Sequence, residues 1–347
     1  MPKQQLTLPR SQTGAPDSAS IDGAIARYLD NVALARSPNT TRTYRQALRA
    51  FRRTLDRLKI DASHYPARDV SEDWITAFAA DLKPRSPATE RLYLTAASGW
   101  YEFLAAERLA EVNLARLHLL IRQRARRPGQ RLPQFPRSAI EQVLATAESA
   151  TAASDDPSER LRRLRDRAFL LTLADTGLRV HEACHLRRGD LDWDEAQALL
   201  IGKGNRQAVV RFSQRALRSL RAYLRARSNL DGASGKALSA LPVFARHDRG
   251  AGKRVLPITT TTGRTIVHDA VVASLGDEAA GTITPHSFRH YFVTTVLRGS
   301  GGNLKLAQEL ARHRNIAVTQ RYAHLSDDEL DRGYHAIFDQ ADEGPDK

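Results

Sequence analysis

Apolar positions recur at helical spacing through most of the chain. In IDGAIARYLDNVAL they fall at Ile21, Ile25, Tyr28, Leu29 and Val32, which predicts one buried helix face. Ser37-Pro38-Asn39-Thr40 breaks that helix and caps a second, whose apolar side runs through Tyr44, Leu48, Phe51 and Leu55. Ser71-Glu72-Asp73-Trp74 starts a third helix. Ser86-Pro87-Ala88-Thr89 starts a fourth that carries Leu92, Leu94, Trp100 and Phe103. A short last helix is predicted over Glu111 to Ile121, and no strand pattern precedes it. Residues 19–121 therefore read as an all-helical first domain. Residues 1–18, rich in Ser, Pro, Gln and Thr, read as a disordered lead-in.

From Arg122 to Arg137 the pattern changes. RQRARRPGQRLPQFPR has six arginines, three prolines and no acid, a composition that builds no core and predicts an extended linker over 122–137. Helical spacing returns in SAIEQVLATAES and in ERLRRLRDRAFLLTLADTG, which ends at Gly177 as a helix C-terminus does. The next helix is expected in LRVHEACHLRRGDLD. The clear β signal is Ala198–Ile201 and Gln207–Phe212 about the turn Gly202-Lys203-Gly204-Asn205, with Lys203 at a hairpin tip. Helix resumes over Gln214 to Arg227. Residues 229–265 read as loop, and Thr282–Leu325 reads as two packed helices. The fold class is mainly α with a small β-hairpin or sheet. The second domain, 138–326, is mixed α/β, and 327–347 forms an acidic C-terminal helix or tail.

Charge adds a partner to this picture. The 53 Lys and Arg against 39 Asp and Glu give +14 and a pI near 10.3, which points to a polyanion. Nucleic acid is the first reading and a basic membrane-surface protein the competitor. No apolar run approaches the roughly 18 residues of a membrane span, and MPKQQLTLPRSQTGAPDSAS lacks the apolar core of a signal peptide. Cys184 is the single cysteine, so no intrachain disulfide forms and a reducing cytoplasm is the expected compartment. Its place in VHEACHL marks it as a small buried residue rather than a reactive thiol. The second helix carries Arg42, Arg45, Arg49, Arg52 and Arg53, either a solvated face or a phosphate-contacting stripe. Arg122, Arg124, Arg126 and Arg127 offer the same choice between a basic tether and a strap along a DNA backbone.

The chemistry concentrates in TITPHSFRHYFVTTVLRGSGGNLKLAQELARHRNIAVTQRYAHL. His286, Arg289, His313 and Tyr322 join Arg179 and Lys203 in a set suited to a phosphodiester. Arginine forks fit two phosphate oxygens at once, histidine moves protons near neutral pH, and tyrosine can become a covalent nucleophile. Two arginines would stabilise a pentacoordinate phosphorane while Tyr322 attacks. Lys203 would protonate the departing hydroxyl, the two histidines would assist proton transfer, and Glu182 would orient a neighbour. Each residue alone is uninformative; the ordered set is specific. His286 and His290 lack the intervening Glu of a zinc motif, and GASGKA and RGAGKR do not meet the phosphate-loop pattern. No metal and no cofactor are expected.

TGLRVHEACHL, the GKGNRQ hairpin, TPHSFRHYF and LARHRNIAVTQRYAHL resemble the motifs of the tyrosine recombinase (phage integrase) family, over roughly residues 20–335. SPNTTRTYRQALRAFRRTL and SPATERLYLTAASGWYEFL are similar to its core-binding domain. The resemblance implies a two-domain C-shaped clamp on double-stranded DNA at specific sites. It also implies a 3′-phosphotyrosyl intermediate, a Holliday junction and a homo-tetramer whose C-terminal helix packs on a neighbour. It gives the catalytic roles to Arg179, Lys203, His286, Arg289, His313 and Tyr322, needs neither ATP nor metal, and leaves room for an accessory protein. A nucleoid-associated cytoplasmic enzyme of the simple Xer- or Cre-like type is expected, without an arm-binding domain. Two departures stand out: Arg312 precedes His313 where the family usually has Gly, and Asn113-Leu114 replaces the usual Asn-Pro. Competing readings are a catalytically silent DNA-binding regulator and a type IB topoisomerase or telomere resolvase.

Overall fold

The computed structural model describes residues 19–126, 137–150, 155–202, 206–320 and 322. The lead-in 1–18, Arg127 and most of the expected linker, Lys203 and the tail 327–347 lie outside them. The chain divides into two compact units, Met1–Gly129 and Gln130–Lys347.

The first unit holds α1 (Ile21–Ala35), α2 (Pro38–Arg57), α3 (Trp74–Asp81), α4 (Pro87–Ala106) and α5 (Leu114–Arg124). Four N-caps define where these helices begin. Ser20, Ser37 and Ser86 hydroxyls and the Asn113 amide oxygen accept from the backbone amides of Gly23, Thr40, Thr89 and Arg116. The core is aromatic: Phe51 meets Phe78 edge-on at 5.2 Å between ring centroids and Trp100 at 5.6 Å. Leu92, expected on the apolar face of α4, is instead exposed. The last helix starts at Leu114 rather than Glu111, because Asn113 supplies the cap. It then runs on to Arg124, into the stretch expected to be linker. Arg122 and Arg124 occupy its last turn, where basic side chains are favoured by the negative end of the helix dipole.

Glu90 on α4 is fully buried and ties down the end of this unit. Lys83 Nζ donates to Oε1 at 2.8 Å and Arg126 Nε to Oε2 at 2.5 Å, and the Arg126 backbone amide also donates to Oε1. Arg126 thus has a structural duty that its expected role as a DNA contact did not include.

The second unit is built on α7 (Pro157–Thr176), with α6 (Arg137–Ser149) beside it. Ala168, Phe169, Leu170, Leu171, Leu173 and Ala174 of α7 are all buried. Helix α8 is short, Val180–His185, and gives way to a 3-10 turn at Arg188–Asp190 instead of continuing. The sheet has one strand more than the pattern revealed. β1 (Leu191–Asp192), β2 (Gln197–Gly202) and β3 (Arg206–Arg211) pair antiparallel in that order, with Leu191 opposite Ala198 and Ala198 opposite Val210. A two-residue strand carries no readable alternation. Ala198 and Val210 face the core while Leu199 and Val209 stay exposed, the period-two pattern of a sheet covered on one face.

Helices α9 (Gln214–Ala226) and α10 (Ser228–Gly232) lead into the stretch expected as loop. Its first part is held by a buried ion pair rather than by periodicity. Arg227, fully buried, donates to Asp231 Oδ1 at 2.8 Å and to the Pro242 and Val243 carbonyls at 2.8 and 2.9 Å. From Thr260 the supposed loop becomes α11 (Thr260–Leu275), capped by the Thr259 hydroxyl. Its Thr, Ile and Val residues are weak helix formers taken singly, and packing on the core overrides them. A Cβ added at Gly263 would come within 2.9 Å of both Phe169 and Val180 and 3.1 Å of Cys184 Sγ, so glycine lets α11 approach α7 and α8. Among the described residues that follow there are three helices rather than two: α12 (Pro285–Gly299), α13 (Leu304–Ala311) and α14 (Ile316–Gln320). No helix among the described residues is long and apolar enough to cross a membrane.

Cys184 lies buried in this core, and burial pushes its thiol up to about 12. Native protein at pH 8 is therefore expected to resist alkylation by iodoacetamide and to react once denatured; rapid labelling of the native thiol would contradict the packing. In the first unit, Glu90→Ala strands Lys83 and Arg126 and is expected to lower unfolding stability by about 3 kcal/mol. Denaturant unfolding checks this, and a loss below about 1 kcal/mol would reduce the cluster to a surface ion pair.

Candidate active site

Three chain segments of the second unit meet at one place: the turn after α7, the first turns of α12, and the stretch from the end of α13 to Tyr322. Gly177 ends α7 at φ 60°. A Cβ there would stand 2.4 Å from Phe292 Cδ1, so only glycine allows the turn to lie against α12. Arg179 follows at once and caps α8. Its backbone amide donates to Glu182 Oε2 and its Nη1 to Glu182 Oε1, each at 2.9 Å. With its side chain 45% exposed, Arg179 is held yet open to a ligand.

Arg289, on α12, is buried. Its Nη1 donates to the Gly177 carbonyl at 2.5 Å and its Nη2 to the Ala311 carbonyl. One guanidinium thus joins all three segments, and two of its five donors do it. Burial first, then the charges of Arg179 and Arg312, pull its pKa down to about 10, which leaves it charged at neutral pH.

His286 and His290 lie one turn apart on α12 with ring centroids 4.2 Å apart. His290 meets the Tyr322 ring at 5.0 Å, and His313 lies nearly parallel to that ring at 6.4 Å. His313 is fixed by its backbone amide, which donates to the Gln308 carbonyl, and by Nδ1 at 2.9 Å from Thr319 Oγ1. Tyr322 also rests on the small apolar cluster of Val293, Leu297, Ala307 and Ala311. The aromatic nucleophile candidate thus has two imidazoles near its ring and interacts electrostatically with Arg289.

All three imidazoles are held below their ordinary pKa. Burial is the first cause in each, followed by arginine charge for His286 and His313 and by His286 for His290. His290 and His313 come down to about 4. Near pH 7 they are neutral and can accept a proton, and the positive charge of the pocket resides on its arginines.

Of the residues expected from the sequence, Arg179, Glu182, His286, Arg289, His313 and Tyr322 come together here. Lys203 lies outside the described residues. Two members of the site were not in the expected set. His290 is signalled by its four-residue spacing from His286, which puts both on one helix face. Arg312 had been noted only as a departure; it reaches Glu182 Oε2 at 2.8 Å. Among the described residues no group of three or more His, Cys, Asp or Glu side chains is arranged to hold a metal ion.

Residues 138–329 match the family model described as the phage integrase family. The chain is 33% identical over 303 residues to tyrosine recombinase XerD of Mycobacterium tuberculosis, covering 85% of this chain and 90% of the relative. The chain belongs to the phage integrase family. It is a tyrosine recombinase, an enzyme class of site-specific DNA recombination. Two solved structures share the recombinase fold. XerH site-specific recombinase bound to a palindromic difH substrate is 16% identical, with a TM-score of 0.68 over 93% of this chain and 98% of that one. The Tn1549 transposon integrase with a circular intermediate DNA is 17% identical, with a TM-score of 0.63 over 92% and 100%.

Of the recombinase's expected DNA-contact residues, Arg42, Arg45 and Arg49 are on α2 and Arg122 and Arg124 on α5; Arg126 follows α5, and Arg127 lies outside the described residues. Arg42, Arg45 and Arg49 are exposed along one side of α2. Arg52 and Arg57 of the same helix are tied to Asp22 and Asp81, each at 2.8 Å, whereas Arg45 and Arg49 have no carboxylate partner among the described residues. Arg122 and Arg126 line an open groove of about 780 Å³ together with Arg36 and Arg91.

The depressed histidines set a pH dependence of stability. The folded recombinase holds His290 and His313 neutral down to about 4, and His247, buried beside Arg165 and Arg227, down to about 3. The unfolded chain takes up protons near the ordinary value of about 6.5. Below that value the unfolded state binds more protons, so stability is expected to fall as pH drops from 6.5 towards 4 and to be insensitive to these groups above 6.5. Thermal unfolding across this range checks it, and a His290→Gln, His313→Gln double variant is expected to flatten the slope.

Proposed function

We propose that this site cuts one strand of a specific double-stranded DNA site through Tyr322 and rejoins it to a partner strand. Tyr322 Oη attacks the scissile phosphorus and its proton passes to a neutral imidazole. The P–O5′ bond breaks, the 5′ oxygen takes a proton from Lys203, and the strand is left as a 3′-phosphotyrosyl ester with a free 5′ hydroxyl. Attack by another 5′ hydroxyl reverses the step and regenerates Tyr322. One phosphoester replaces another at each step, so the reaction calls for no ATP.

The observation that carries this reading is Tyr322 near both His290 and His313 and interacting with the Arg289 guanidinium, itself fixed by two carbonyls. Arg179 and Arg289 stabilise charge that grows on the non-bridging oxygens, and because they are held beforehand, little reorganisation opposes the reaction. His286 hydrogen-bonds the phosphate, and Glu182 orients Arg179. Arg42, Arg45, Arg49, Arg122, Arg124 and Arg127 contact the DNA backbone from the first unit and its continuation. Arg126 contributes less, because its guanidinium is bound to Glu90. The first unit serves core binding and residues 138–326 catalysis, and the expected linker of 122–137 shortens to the stretch after Arg126, since α5 runs to Arg124 and Arg126 is bound to Glu90. Exchange proceeds on a homo-tetramer through a Holliday junction, at the nucleoid, with residues 327–347 contacting a neighbouring protomer and an accessory protein acting on direction.

The test uses purified full-length protein, EDTA and a library of randomised duplexes, with protein-linked DNA recovered under denaturing conditions and sequenced. Wild type is expected to enrich one site, and Tyr322→Phe none. Binding without covalent capture would favour a silent DNA-binding regulator. On the recovered duplex, Arg289→Lys keeps the charge but loses the fork, and is expected to slow adduct formation by about 10²- to 10³-fold.

A further inference from the structure

Arg312 has no part in the chemistry assigned above, yet it is built into the same site. It ends α13 at φ 56° and ψ 44°, in the left-handed region that disfavours any side-chain-bearing residue. Its side chain is 13% exposed, with Nη2 donating to Glu182 Oε2 at 2.8 Å. Its Nη1 is buried and has no hydrogen-bond acceptor among the described residues. A charged donor buried without an acceptor is costly, and here it coincides with an unfavourable backbone conformation. Two such costs at one residue beside the pocket point to a role for the side chain.

The role follows from what Glu182 joins. One carboxylate receives the Arg179 guanidinium on Oε1, and the Arg179 backbone amide and Arg312 Nη2 on Oε2. Arg179 starts α8. Arg312 immediately precedes His313, whose ring faces Tyr322. The Arg179–Glu182–Arg312 triad is therefore a second side-chain link, beside Arg289, between the segment holding the exposed arginine and the segment holding the nucleophile. Two cations against one anion leave it incompletely neutralised, which suits a pocket awaiting a phosphate.

We propose that Arg312 is a positioning residue for strand cleavage: through Glu182 it sets the Arg179 guanidinium in register with His313 and Tyr322. This rests on the reading that Tyr322 forms the covalent link. Neutralising Glu182 from a second side also keeps the carboxylate from drawing Arg179 fully away from the phosphate.

The experiment compares full-length wild type, Arg312→Gly and Arg312→Lys on a nicked duplex of the sequence recovered by covalent selection. Three quantities are read: the single-turnover rate of adduct formation, the equilibrium affinity for the duplex, and the thermal midpoint. Glycine suits the left-handed backbone, so a merely structural Arg312 predicts an Arg312→Gly protein of unchanged activity and equal or higher thermal midpoint. Positioning predicts an equal or higher midpoint, affinity within about twofold of wild type, and adduct formation slowed about 10²-fold. Lysine, which keeps the charge, restores part of the rate. In a Glu182→Gln background, adding Arg312→Gly is expected to slow the reaction little further, because the two act as one unit. An Arg312→Gly rate within about twofold of wild type overturns the proposal, as does a slowing matched by an equal loss of affinity or by a lower midpoint. If wild type itself forms no adduct, the Tyr322 reading fails instead, so the two failures are distinct.

Discussion

The buried guanidinium of Arg289 is the constraint on which the site depends. It cannot leave water without acceptors, and the acceptors are the carbonyls of Gly177 and Ala311, one at the end of α7 and one at the end of α13. Both helices must therefore stop where they do. Gly177 stops α7 by taking a left-handed conformation under Phe292, and Arg312 stops α13 in the same way. Arg179 lies two residues after the first stop and His313 directly after the second, so the chain-ending geometry also places these two side chains. Charge is divided accordingly. Burial first, and neighbouring charge after it, holds His290 and His313 neutral near pH 7, beside the cationic Arg289.

The first unit obeys a different logic. Its aromatic core centres on Phe51 and Trp100, and its arginines divide into those bound to carboxylates and those with no carboxylate partner among the described residues. Arg52, Arg57 and Arg126 are occupied by Asp22, Asp81 and Glu90. Arg45 and Arg49 are exposed with no carboxylate partner among the described residues, the arrangement on which the proposed backbone contact rests.

Much of this was legible in the sequence, for reasons that can be named. Helices α1, α2, α4 and α7 announce themselves because a cap, an apolar period and a break coincide, as at Ser37-Pro38 and Gly177. The six-residue set was legible because such side chains rarely recur in that order without a shared task, and five of the six meet in the structure, with Lys203 outside the described residues. What escaped depends on tertiary partners. Helix α11 is rich in Thr, Ile and Val and needs the surface beneath Gly263 to become helical. The stretch after α9 has no period because Arg227 and Asp231 hold it. Helix α5 reads past its expected end because α5 tolerates Arg122 and Arg124 at its C-terminus. Arg312 looked like a disturbance beside His313; its link to Glu182 spans 130 residues of sequence, and no local pattern reports it.

The most direct test of the account is to identify the atom that carries the DNA. The covalent complex trapped on a nicked duplex would be digested with nuclease and trypsin and the modified peptide sequenced by mass spectrometry. The expected product is a nucleotide linked through its 3′ phosphate to the Tyr322 side chain. A nucleotide on another residue, such as Tyr291, or one joined through a 5′ phosphate, would contradict the assignment of nucleophile and polarity on which the rest stands.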